Sequence, residues 1–191
     1  MTARRLDRTT KVLIVLAGIG GAIFAGLMAL VVFGLVRPFS VPTGGMTPAV
    51  SAGDHVMMEG VSLLWREPHR GDVIVFRTTG MAQLPSAQSY IERVAGEPGD
   101  HVRIDSGRLY INDKRVALSN AAGEITYRLP PQFPAAGTFL DAVVPQGHYY
   151  VLGDNSTNSF DSRYYGFVPA ANVRGRVYFC QWPPKRWGTV K

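Results

Sequence analysis

From Val12 to Val36 the chain runs for 25 residues without a charged or polar side chain. At about 1.5 Å rise per residue, a helix of that length crosses a hydrocarbon core of about 30 Å. A secretory signal peptide has a shorter apolar region of roughly 7 to 15 residues and a small-residue cleavage site, whereas this run ends in LVRPFSVP. The bland alternative is a helix of a soluble core, but a segment apolar on every side and preceded by a basic terminus fits lipid better. Its five glycines, Gly18, Gly20, Gly21, Gly26 and Gly34, would also weaken a helix in water, at about 1 kcal/mol each relative to Ala. Residues 12–36 are expected to form a transmembrane helix.

Arg4, Arg5, Arg8 and Lys11 precede the run with only Asp7 against them. The excess of positive charge keeps a basic tail, residues 1–11, in the cytoplasm and sends residues 37–191 outside. The whole chain of 191 residues is 46% hydrophobic and 18% charged, enough for one globular domain once the apolar run is subtracted. A single cysteine, Cys180, excludes an internal disulfide, so the exported domain must hold together by packing. The net charge of +6 is scattered along the chain, which argues against nucleic acid as a partner. Attraction to anionic membrane lipid accounts for it more simply.

Beyond the run, HVMMEGVSLL, DVIVFRT, SYIERVAG, HVRID, RLYIND, HYYVLGD and GRVYFCQW are rich in Val, Ile, Tyr and Phe and are bounded by Gly, Asp and Pro. This is the pattern of a mainly β domain of short strands. Asn112 and Asp113 separate two alternating runs and predict a hairpin. The proline-rich stretch that follows, up to Gly147, reads as a loop or small subdomain, so that about 101–147 forms an inserted hairpin and loop region. Trp182 and Trp187, near Lys185 and Arg186, either rest at the lipid headgroup level or close the core. Trp65 has the same two readings.

Four segments carry more than strand pattern: RPFSVPTGGMTPAV at 37–50, RGDVIVFR at 70–77, YIERVAGEPGD at 90–100 and GDNSTNSFDSRYYGFVP at 153–169. In this order, behind one apolar span, they resemble bacterial type I signal peptidases over nearly the whole chain. The last is the most specific, with Gly153, Asp154, Asn155, Ser159, Asp161, Ser162, Arg163 and Gly166 matching in identity and spacing. The resemblance implies a signal-peptidase-like β domain on one membrane helix, a plasma (inner) membrane location with the domain outside, and removal of signal peptides from exported proteins. It implies no cofactor and no metal. The chemistry would be that of a Ser/Lys dyad: the hydroxyl attacks the scissile carbonyl, a desolvated neutral Lys takes its proton, and nearby donors meet the developing oxyanion.

Neither dyad residue is present. The family's first motif reads Pro, Ser, Gly, Ser, Met, Xaa, Pro, and along Pro42 to Pro48 it is Gly45 that stands where the nucleophile belongs. Glu92, between Ile91 and Arg93, stands where the base belongs. No Lys occurs between Lys11 and Lys114, so no shifted amine replaces it, and the His used by the endoplasmic-reticulum branch is missing too. Thr43 occupies the place of the hydroxyl that assists the oxyanion site and aims beside the carbonyl rather than at it. A lone Glu92 activating water would lack both a metal and a second acid. Ser159, which in the family orients the lysine, is expected to hydrogen-bond Glu92, unless Glu92 pairs with a nearby Arg. Asp161 and Arg163 correspond to a structural salt bridge that braces the site.

The peptide-binding strands are retained in outline. An extended substrate would lie beside Val41 and Pro42 on one side and Tyr90 and Ile91 on the other, held by main-chain hydrogen bonds; each of these residues also reads as ordinary strand or core. Two functions follow from different classes. One is a catalytically inactive homologue that binds exported or signal-peptide segments, beside an active paralogue. The other is an active signal peptidase I with a non-standard dyad. A deliberate substrate-trapping replacement is a third reading, but it would exchange Ser for Ala rather than reverse the charge of the Lys.

Overall fold

Asp7 opens the first helix, α1 (Arg8–Val32), by accepting a hydrogen bond from the Thr10 amide at 3.0 Å, which satisfies one of the unpaired donors of the first turn. The computed structural model describes residues 7–129 and 138–190. α1 ends before the apolar run does, because Gly34 adopts a left-handed conformation at φ +71°. Leu35 N–H then donates to the Leu30 carbonyl and Gly34 N–H to that of Val31, the paired bonds of a glycine-terminated helix. Val36, expected to lie in the helix, instead begins a strand, β1 (Val36–Ser40). No side chain of α1 is buried among the described residues, and the helix is long and apolar enough to cross a membrane.

The strand-like segments each contain a strand. After β1 come β2 (His55–Glu59), β3 (Val73–Arg77), β4 (Ser89–Gly96), β5 (His101–Asp105), β6 (Arg108–Ile111) and β7 (Lys114–Val116). They are followed by β8 (Ser119–Asn120), β9 (Gly123–Glu124), β10 (Asp141–Val143), β11 (His148–Leu152), a short helix α2 (Ser162–Tyr165), β12 (Val168–Pro169), β13 (Val173–Trp182) and β14 (Gly188–Thr189). The main sheet runs β1-β2-β13-β3-β4-β11-β12, with β14 beside β13, and every pairing is antiparallel. A second sheet, β10-β5-β6-β7, and the pair β8-β9 occupy the expected insertion; its residues 130–137 lie outside the described ones. The β6–β7 turn is the predicted two-residue hairpin. Asn112 and Asp113 both have positive φ, 51° and 64°, the conformation whose twist matches that of the flanking strands.

β3 is buried on both faces, so its side chains alternate between two cores. Val73 and Val75 join Val41, Met46, Val50, Val56 and Met58, whereas Ile74 and Phe76 join Val94, Tyr149, Val151 and Tyr165. The first of these cores anchors the loop after β1, and the second lies under the side chain of Glu92, which pairs with Ile74 across β3 and β4. Trp65, Trp182 and Trp187 are all exposed, which decides against any of them closing the core.

Candidate functional site

Three separated stretches meet around a cleft of about 370 Å³: 39–46 from the end of β1 into the loop after it, 88–92 at the start of β4, and 158–160 before α2. The loop carrying Gly45 is held from below by Val41, Met46 and Val50, all buried. From the side, Asn155 clamps it. Its N–H donates to the Gly45 carbonyl at 2.8 Å and its Nδ2 to the Gly44 carbonyl at 3.0 Å. Gly153 makes this approach sterically feasible, since a Cβ there would stand 2.2 Å from Ser159 Oγ and 2.7 Å from the Gly45 carbonyl oxygen.

The ten residues to which the sequence gives a place in the site lie in or immediately behind the cleft. Val41, Pro42, Thr43, Gly45, Tyr90, Ile91, Glu92 and Ser159 line it. Asp161 and Arg163 sit behind it, fully buried, with Nε to Oδ1 at 2.7 Å and Nη2 to Oδ2 at 2.8 Å. Along β4, residues 89–93 pair with β3, but β11 takes up the opposite edge only from Arg93 onward. Among the described residues the backbone of 89–92 therefore has no strand neighbour on its second edge, the geometry into which an extended peptide can add as a strand. Val41 is buried while Pro42 and Thr43 are exposed, so the facing stretch presents its backbone and a hydroxyl.

Glu92 takes the first of its two expected partners. Ser159 Oγ donates to Glu92 Oε1 at 3.4 Å, a long contact, while Arg163 is committed to Asp161 and Arg93 makes a two-pronged pair with Asp154 at 2.7 and 2.8 Å. Glu92 Oε2 has no partner, and the residue is 5% exposed. Burial, reinforced by the nearby carboxylates of Asp161 and Asp154 and only partly offset by Arg163, raises its pKa well above the ordinary glutamate range. The side chain thus stays protonated where an exposed glutamate is ionised.

That protonation has a measurable consequence. The folded state holds the Glu92 proton more tightly than the unfolded chain, so its contribution to stability is complete below the unfolded glutamate pKa and is lost as pH rises through the folded pKa. Glu92→Gln removes this slope. Denaturation midpoints followed from acid to neutral pH are expected to show the variant gaining on the natural chain as pH rises; parallel profiles would rule out a protonated Glu92.

A family model described as "Signal peptidase, peptidase S26" matches residues 14–182. This chain belongs to that family. It is 34% identical over 151 residues to the "Probable signal peptidase I-2" of Synechocystis sp., covering 78% of this chain and 65% of the relative. It is likewise 34% identical over 153 residues to the signal peptidase I of Leptolyngbya laminosa, covering 78% and 70%. The thylakoidal processing peptidase 1 of Arabidopsis thaliana is 33% identical over 158 residues, with 80% of this chain and 44% of that protein covered. The chain thus spans less than two thirds of the length of some relatives that it matches. A crystal structure of a signal peptidase I from Enterococcus faecalis V583 is 30% identical, covers 58% of this chain and 97% of that one, and superposes with a TM-score of 0.42.

Within this signal peptidase family member, sequence reasoning assigned no role to the Asn155 clamp, the Gly153 close approach or the Arg93–Asp154 pair. One signal was available for the last: in a strand whose Glu92 faces one side, Arg93 must face the other and needs an acidic partner there. The clamp left no local signal, because its two halves lie in distant segments. Phe39 and Phe160 also line the cleft; an aromatic in a β-rich chain gives no local signal that tells a cleft wall from core.

Proposed function

We propose that this chain is a membrane-anchored signal peptidase homologue that binds extended segments of exported proteins in its cleft without cleaving them. The observation that carries this reading is that the cleft is lined by Gly45, which has no side chain, and by Glu92, a buried carboxyl whose burial raises its pKa. Acyl transfer by this family needs a hydroxyl nucleophile and a neutral base to receive its proton. A protonated carboxylic acid cannot accept that proton, and none of the residues lining the cleft is a lysine. Binding needs neither group. It draws on the open edge of β4, the backbone of 40–43, and the apolar side chains of Val41, Ile91 and Tyr90.

On this reading α1 spans a bacterial plasma membrane with residues 1–11 in the cytoplasm and the β domain outside, so exported segments and membrane lipid are its partners. An active paralogue would cleave what this chain holds. The competing reading, an active enzyme with a non-standard dyad, finds one hydroxyl beside Glu92, that of Ser159. That side chain lines the cleft but is only 2% exposed, and Glu92 beside it, with its pKa raised by burial, is a poor acceptor for the hydroxyl proton.

The test is incubation of the purified full chain in detergent with a fluorescent preprotein carrying an Ala-Xaa-Ala site. The expected result is saturable binding by anisotropy with no cleavage above the buffer blank. Cleavage at that site would overturn the inactive reading, and absence of binding would overturn the role given to the cleft.

A further inference from the structure

Polarity in the cleft follows depth. Val41 and Met46 are buried, and Phe39, Tyr90, Ile91 and Phe160 complete the apolar lining. Ser40, Thr43, Gln88 and Ser89 are exposed and lie at the rim, while the two buried polar side chains, Ser159 and Glu92, hydrogen-bond each other. Two of the aromatic walls are supported by further rings. Phe160 stacks on Tyr164 with centroids 5.3 Å apart and planes 10° from parallel, and Tyr90 packs on Phe76 at 6.0 Å. Walls already held in place cost little ordering when a ligand arrives.

Charge and size point to the same occupant. Among the described residues that line the cleft, Glu92 is the only one that can carry a charge near neutral pH, and burial raises its pKa well above the ordinary glutamate range. Behind it Asp161 is matched by Arg163 and Asp154 by Arg93, each through two short hydrogen bonds, so with Glu92 uncharged the buried groups balance. The site suits a neutral, apolar group. Its volume of about 370 Å³ is more than twice that of an apolar cavity of roughly 150 Å³ that holds a benzene ring. The methyl of an alanine would leave most of this space to water.

We infer that the cleft selects extended peptides by one bulky apolar side chain, of leucine or phenylalanine size, seated over Gly45 among Phe39, Met46, Tyr90 and Phe160. The inference rests on the reading of the cleft as a peptide-binding site and names the side chain by which that site chooses. Main-chain hydrogen bonds to the open edge of β4 give affinity to any extended segment, so discrimination falls to the side chain that enters the pocket. Gly45 leaves that pocket unfilled from the protein side. A Cβ built there stands 3.6 to 3.9 Å from Asn158 and Ser159, ordinary contact distances, so the cleft has room at this point for carbon that residue 45 does not supply.

The experiment is calorimetric titration of the full chain in detergent with three N-acetylated, C-amidated peptides of one length, built of serine, threonine and alanine and differing only in a central alanine, leucine or phenylalanine. Each is also titrated into detergent alone, and that heat is subtracted. The leucine and phenylalanine peptides are expected to bind about tenfold or more tightly than the alanine one, since each buried methylene is worth about fourfold. Their heat-capacity change should be more negative, the mark of apolar burial. Gly45→Leu fills the pocket from the protein side and should bring the three affinities together. Phe160→Ala removes an exposed wall, should weaken the preference, and decides the matter if the first variant does not fold. Equal affinity for the three peptides, or tightest binding of the alanine peptide, would overturn the selection while leaving peptide binding intact. A preference that neither variant changes would overturn the placement over Gly45, and no binding by any peptide would overturn both the selection and the reading beneath it.

Discussion

Arg163→Met is expected to destabilise the β domain by about 3 to 5 kcal/mol, the cost of leaving one member of a buried ion pair without the other. The guanidinium is fully buried and spends its donors on four acceptors: both Asp161 oxygens, Ser156 Oγ at 2.9 Å and the Ser156 carbonyl at 2.8 Å, with the Arg128 carbonyl as a fifth contact. Asp161 in turn caps α2 and accepts from the Gly153 N–H at 2.9 Å. The pair therefore ties the strap carrying Ser159 to the end of β11 and to the insertion. Arg163→Lys keeps the charge but loses the fork, and should fall between the natural chain and the Met variant. Denaturant unfolding of the full chain in detergent, followed by circular dichroism, measures all three. A loss below about 1 kcal/mol for Arg163→Met would place the pair among exposed salt bridges and remove the brace from the account of the site.

How much of this was legible beforehand depends on the range over which each feature is determined. The strands were readable because burial on a pleated surface leaves a local pattern: HVRID and SYIERVAG coincide with β5 and β4 residue for residue. The β6–β7 turn was readable because few residues tolerate the positive φ that Asn112 and Asp113 adopt. The end of α1 was misjudged by the apolar run alone; hydrophobicity continues to Val36, but the single left-handed residue at Gly34 turns the chain into β1.

The candidate site divides in the same way. Gly45, Glu92 and Ser159 could be nominated because four motifs stand in a family order, although no periodicity brings these distant residues together. The raised pKa of Glu92 was not legible, since it depends on the burial of that side chain, which stands opposite Ile74 across β3 and β4, and on Asp161 and Asp154 standing near it. The exposure of Trp182 and Trp187 was equally beyond reach. An aromatic at the end of a strand serves the core or the surface depending on which face the sheet covers.

Gly45→Ser and Glu92→Lys together are expected to gain signal-peptide cleavage that neither gains alone, by about 10²- to 10⁴-fold, the usual contribution of a positioned base. The backbone permits the first change: Gly45 does not need positive φ, and a Cβ there meets only ordinary contacts at 3.6 to 3.9 Å from Asn158 and Ser159. The second places an amine in the site that now keeps a carboxyl protonated. Burial disfavours the charged form of either group, and with Asp154 and Asp161 already matched by Arg93 and Arg163, only a neutral lysine leaves the cluster balanced. Gly45→Ser alone adds a hydroxyl beside a carboxylic acid that cannot take its proton, and an ionised Glu92 would repel the developing oxyanion. Glu92→Lys alone supplies a base with nothing to activate. The effects should therefore be strongly non-additive, as for residues that act as one unit. The two single variants and the double variant would be assayed against the same preprotein, with circular dichroism to establish folding. A folded double variant no faster than either single would mean that Thr43, the clamped loop and the β4 edge no longer hold a substrate carbonyl in reach, and the cleft would then have lost its active-site geometry along with its dyad.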